Sequence, residues 1–158
     1  MFIDSQALFS DSQAITADAV GTNVIDLSVA RNIGGGEGLC VCFVVEVAAD
    51  QTTGDEGYTF DVEYATNAAQ TTGRQLIGRR VFESGTPTAP AQNADLLVAG
   101  YKFYIPLPDV SAGEDERYLG IRYDVTGTTP TITCSSFLIP TSMADDSKIS
   151  YANGYTIV

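Results

Sequence analysis

Tyr58-Thr59-Phe60-Asp61-Val62-Glu63-Tyr64-Ala65 is the stretch that decides the fold class. Tyr58, Phe60, Val62 and Tyr64 alternate with Thr59, Asp61, Glu63 and Ala65. A period of two puts the first set on one face of a strand and the second on the other, so a half-buried strand with one wet face is expected. The pattern recurs outward from there. Leu119, Ile121, Tyr123 and Val125 alternate with Gly120, Arg122 and Asp124, and Tyr101, Phe103 and Ile105 with Lys102 and Tyr104. Residues 39–47 are apolar except for Glu46, which predicts a central strand covered on both faces. Further strands are expected at 23–29, 76–83, 131–139 and 155–158. Glycine-rich turns fall at 32–38, 53–57, 72–74, 112–116 and 126–130. One helical turn closed by Gly100 fits 94–100. The Pro-, Thr- and Ala-rich stretch 85–93 reads as a projecting loop or a crossover between sheets. The class is all-β: a single-domain antiparallel sandwich or barrel.

The ends differ from the middle. Residues 1–20 carry Phe2-Ile3 and Leu8-Phe9 between polar residues, with no period of their own. Residues 141–158 carry Met143, Tyr151, Tyr155, Ile157 and Val158. The expected organisation is an N-terminal arm over 1–20, the sandwich over 21–140 and a C-terminal arm over 141–158. Such arms either pad their own domain or dock on another surface, because exposed apolar groups gain nothing in water. Phe2, Ile3, Leu8, Phe9, Tyr151 and Tyr155 are therefore candidate partner-binding residues. Arg79 and Arg80 join them. With Arg74 they form the densest basic spot, and Arg suits bidentate pairing with carboxylates. The competing reading is a surface ion pair of little energetic value.

Eight Lys and Arg against 20 Asp and Glu give a net charge of −12. Nucleic-acid affinity rests on cations neutralising phosphates, so a nucleic-acid partner is not expected. Nor is an anionic membrane surface. The chain has no histidine, which removes Ser-His-Asp and Cys-His nucleophile systems, His-ligated metals and the commonest acid-base group near neutral pH. Cys40, Cys42 and Cys134 either form a three-thiolate site or act as small apolar filler. A structural zinc site wants four ligands, so filler is preferred and no metal is expected. Gly34-Gly35-Gly36-Glu37-Gly38 lacks the Lys and Ser/Thr of a phosphate loop and leads into a strand. Glu114-Asp115-Glu116 and Asp145-Asp146 lack calcium-loop spacing. Asp61 and Glu63 share a strand face and could form a glycosidase pair, but no base–nucleophile constellation accompanies them. The expectation is a protein that is not an enzyme, with no cofactor and no small-molecule substrate. The opening has neither a basic segment nor a long apolar one, and the run 39–45 is too short to span a bilayer. A soluble protein made in the cytoplasm is expected.

Met1-Phe2-Ile3-Asp4-Ser5-Gln6-Ala7-Leu8-Phe9-Ser10-Asp11-Ser12-Gln13-Ala14 resembles the start of tailed-phage capsid cement (decoration) proteins, the kind found in a short-tailed Bordetella phage. Asn23-Val24-Ile25-Asp26-Leu27, Arg31-Asn32-Ile33-Gly34, Leu97 to Tyr101, Pro106-Leu107-Pro108 and Arg117 to Tyr123 are similar to later motifs of that family. The resemblance runs over about 1–125. It implies a jelly-roll-like sandwich on the outer surface of a phage head, tying major capsid protein subunits together and associating with itself, as a homodimer. The C-terminal arm is longer and more aromatic than the family pattern. The alternative from a different class is a carbohydrate- or receptor-binding sandwich module of a virion.

Overall fold

In the computed structural model, residues 5–29, 38–84, 94–108 and 117–144 are described. Their strands are β1 (Leu8–Ile15), β2 (Ala19–Val20), β3 (Ile25–Asp26), β4 (Leu39–Val47), β5 (Gly57–Ala65), β6 (Gln75–Glu83), β7 (Lys102–Pro106), β8 (Tyr118–Thr126) and β9 (Ile132–Pro140). Short 3-10 turns occupy Ser5–Ala7, Ala94–Leu96 and Thr141–Met143. The expected turn at 94–100 thus shrinks to three residues, and Gly100 closes the loop after it with φ +89°.

Two antiparallel sheets form a sandwich. One has the order β1-β9-β4-β7 and the other β2-β8-β5-β6, with β3 also pairing β8. The first strand pairs with the last, β2 and β3 with β8, β4 with β7, and β5 with β6. The chain is therefore a long two-stranded ribbon folded over on itself, which is the jelly roll. New contacts made by the folding are β9 with β4 and β8 with β5.

Alternation decides what fills the space between the sheets. Tyr58, Phe60, Val62 and Tyr64 of β5 meet Val41, Phe43 and Val45 of β4 in one core, with Leu119, Ile121 and Tyr123 of β8. Phe43 and Phe103 stack at 5.0 Å between centroids, and Phe60 meets both edge-on at 5.4 and 4.9 Å. These are the offset and T-shaped arrangements that ring quadrupoles favour. Tyr123 carries a hydroxyl into this core. It bonds Ser10 Oγ at 3.0 Å and Ser136 Oγ at 3.2 Å, so the buried polar group is satisfied. β4 is covered on both faces as expected. Its other face, Cys40 and Cys42, packs with Phe137 and Ile139 in a second small cluster.

The N-terminal arm is corrected over its described part. Residues 8–20 are not an arm: β1 is an edge strand of the sandwich, and β2 belongs to the second sheet. Phe9 is fully buried in the chain's own core, and Leu8 packs, half-buried, on the second cluster. The strand escapes a period-two reading because its register with β9 slips twice, between Leu8 and Ser10 and between Ser10 and Gln13. Ser12 sits at φ 48° within that irregular stretch. Each slip moves the inward set by one position and erases the alternation. The expected strand at 23–29 contracts to the two residues of β3. Phe2, Ile3, Tyr151, Tyr155, the loop 85–93, the acidic runs at 114–116 and 145–146 and the strand expected at 155–158 lie outside the described residues.

Candidate interaction surface

The outer face of β5 was expected to be wet, but its two carboxylates are not. Asp61 and Glu63 are 1% and 2% exposed. Two things cover them. The first is a layer of guanidinium groups. Arg79 stands directly across from Asp61 in the β5–β6 ladder. It donates through Nε and Nη2 to the two carboxylate oxygens, at 2.7 and 2.6 Å. Arg74 makes the same fork on Glu63, at 2.8 and 2.5 Å. Arg122, from β8, adds a looser contact to Glu63 at 3.6 Å. Forked, charge-assisted bonds are the strong form of this interaction, and burying a carboxylate requires them. They raise the affinity of Arg74 and Arg79 for their protons, chiefly through the bonds to Glu63 and Asp61. Asp124, beside them, is shifted upward by burial first and by the charges of Asp61 and Asp18 second.

The second cover is the segment 66–74, which folds back over the sheet. Asn67 Oδ1 accepts from the N–H of Thr71 and of Thr72, at 3.0 and 3.2 Å, and Thr66 bonds the carbonyl of Thr72. The tightened loop lays the Gln70 side chain, 2% exposed, onto Gly120 of β8. A β-carbon on Gly120 would fall 1.5 Å from Gln70 Nε2. Arg122 Nη2 donates to the Gln70 carbonyl at 3.1 Å, which fastens the loop to the sheet. The carboxylates read as a possible catalytic pair are thus each held by a guanidinium fork.

Arg79 and Arg80, neighbours in sequence, lie on opposite faces of β6. Arg79, with its side chain 50% exposed, is tied to Asp61. Arg80 is exposed and lies over the Phe82 ring, 5.6 Å from its centroid. Of the candidate partner-binding residues, Phe9 belongs to the core, Leu8 borders the second cluster, Arg79 serves a buried carboxylate, and Arg80 remains at the surface. The structure does not gather these four into one patch. The cysteines do not converge either: Cys40 and Cys42 face the second cluster, whereas Cys134 faces the main core. Burial pushes the Cys134 thiol up to about 12.

The four sheet edges differ in how open they are. β2 and β3 are two residues each, β7 is five residues ending in Pro106, and β1 is broken by two register slips. Among the described residues β6 is the longest edge strand, nine residues, and pairs with β5 only. It carries exposed Leu76 and Val81 with Arg79, Arg80 and Glu83. The sequence signal for this surface was present in Arg79-Arg80, but not which of the two would be spent on a buried acid.

A family model, Bbp16, matches residues 9–139 of the chain. No curated protein matches it. Among the described residues, no helix is long and apolar enough to cross a membrane.

Proposed function

We propose, starting from the fact that this chain belongs to the Bbp16 family, that it is a capsid cement protein. The family name is that of a Bordetella phage protein, and the chain is accordingly phage-related. In this reading the protein attaches to the outer surface of a phage head, ties neighbouring major capsid subunits together and associates with a second copy of itself. It performs no catalysis and carries no cofactor. The observation that carries the reading is the family match over residues 9–139. Two physical features support it. The sandwich spends its carboxylate pair on internal guanidinium groups rather than on an open cleft. The net charge of −12 disfavours the DNA-facing side of a shell, where like charges would repel.

The test is attachment to heads assembled without this protein. Purified protein is mixed with such heads, sedimented, and imaged by electron cryo-microscopy. Regular density on the outer surface, with heads more resistant to heat or chelator, is the expected result. Failure to co-sediment, or density on the inner surface or the tail, would overturn the proposal.

A further inference from the structure

The outer face of the β1-β9-β4-β7 sheet is apolar, although the outside of a two-layer sandwich ordinarily meets water. Val41, Phe43 and Val45 of β4 face the main core, so Cys40 and Cys42 point the other way. The ladders extend that outer face in rows, because directly opposite residues share a face. Leu8 stands opposite Phe137, Phe137 opposite Cys42, and Cys42 opposite Tyr104, so one row crosses all four strands. Ile139, Cys40 and Pro106 form the next row. Cys40, Cys42, Phe137 and Ile139 are nevertheless 1%, 2%, 8% and 5% exposed. Neighbours within a face shield a side chain's flanks and not its top, so such burial calls for a third layer. Thr141 and Ala144 reach the face from outside the sheet. The side chains of Thr141 and Cys40 are hydrogen-bonded, and Ala144 packs on the cluster. The Thr141 N–H, bonded to the Gly38 carbonyl at 2.7 Å, pins this turn. A hydroxyl and a methyl group are too small to cover two rows.

We propose that residues 145–158 supply this cover, folding back across the outer face of the sheet in their own chain. Three observations choose that segment. The chain enters it from Ala144, which already sits on the cluster. Its large side chains Ile149, Tyr151, Tyr155 and Ile157 all fall at odd positions, alternating with Ser150, Ala152, Gly154 and Thr156. Extended backbone puts the first set on one face and the small or polar set on the other. Its length also fits. The 14 residues, from 158 − 144, reach about 46 Å when extended, whereas a nine-residue strand runs about 30 Å and four paired strands lie about 14 Å from first to last. Residues 1–4 lead to the same face through Leu8, but four residues reach about 13 Å, short of crossing the sheet. The tyrosines suit this place as well, since each buries a ring while its hydroxyl stays at the rim in water. The outcome is a three-layer body in which the second cluster is an inner layer and not a sticky exterior.

The experiment uses the chain in solution, without heads, so it succeeds or fails apart from the cement reading. The cysteines are its probes: Cys40 and Cys42 lie under the cover, whereas Cys134 lies in the main core. Labelling with an aromatic disulfide, read site by site from peptide masses, should find all three slow in the full chain. A chain ending at Ala144 should label Cys40 and Cys42 about a hundredfold faster, while Cys134 stays slow and reports an intact sandwich. Removing residues 1–4 should leave all three slow. In the full chain, Y151C or Y155C should form a disulfide with Cys40 or Cys42 on mild oxidation, since these side chains face the cluster. A152C, on the opposite face of the segment, should not. Cys40 and Cys42 that stay protected in the shortened chain, exposure on removing residues 1–4 instead, or disulfides that join two chains would overturn the proposal. Should the shortened chain unfold, Cys134 labels too, and the oxidation decides: no link within the chain from either Y151C or Y155C then refutes it.

Discussion

Phe9 distinguishes a strand of the sandwich from an arm held by a neighbour. The side chain is fully buried among the chain's own residues, and the next residue, Ser10, takes the Tyr123 hydroxyl. Truncation to Ala removes the ring from a packed core and leaves a cavity that the surrounding strands fill only in part. Phe-to-Ala changes of this kind cost about 3–5 kcal/mol. The lower half of that range applies here, about 3–4 kcal/mol, because β1 is an edge strand with two irregularities and can relax inward more readily than a central one. For a domain of this size each kcal/mol lowers the melting temperature by about 2–4 °C, so F9A should melt roughly 6–16 °C below wild type. Urea unfolding followed by circular dichroism gives the free energy directly, with an unchanged slope showing that the unfolded state is not altered. Deleting residues 1–10 should be worse, since it also removes Ser10 from the buried hydroxyl cluster. If F9A unfolds at the same urea concentration as wild type and instead loses attachment to heads, the ring belongs to a partner and the packing argument is wrong.

Three further outcomes follow from other parts of the molecule. R79A strands the Asp61 carboxylate in a site where it is 1% exposed; because the guanidinium itself is half exposed and water can replace it, the loss should be about 1–3 kcal/mol, with D61N/R79A recovering part of it in a double-mutant cycle by urea unfolding. G120A should cost about 1–3 kcal/mol by displacing Gln70, and G120A/Q70A should be more stable than the sum of the single changes predicts, a sign that independent sites would not show. Glu56 is held at about 2 by bonds from Ser84, then Thr53; a carboxyl lowered on folding contributes stability above its unfolded value, so melting temperature should fall as pH drops from about 4.5 towards 2, and E56Q should flatten that part of the profile.

Where the chain keeps strict alternation, the sequence displays its strands to within a residue or two. β5, β8 and β4 were all legible, the last from an apolar run that only a doubly covered strand tolerates. β1 was not, because its two register slips scramble the inward positions, and Phe9 then looks like a stray apolar residue. The wet face assigned to Asp61 and Glu63 failed for a different reason. Their burial depends on Arg74 and Arg79 from the next strand and its approach, and on Gln70 from the intervening loop. Nothing in the spacing within β5 reports a roof built from residues outside it. Arg79 and Arg80 are indistinguishable as letters; the ladder opposite Asp61 separates them.

The pairing of the first strand with the last has a consequence in time. Leu8 lies opposite Phe137, so this ladder joins positions 129 residues apart, from 137 − 8. A ribosome makes β1 before any other of these strands and β9 after all of them, so the outer strand waits through the synthesis of the intervening strands for its neighbour. Until then the Phe9 side of β1 and the inward faces of β4 and β5 have no complete cover, and closing so long a loop is intrinsically slow. The two-sheet body therefore completes as a late event rather than growing strand by strand. During that interval the dense negative charge of the nascent chain keeps its exposed apolar strands apart from those of other copies.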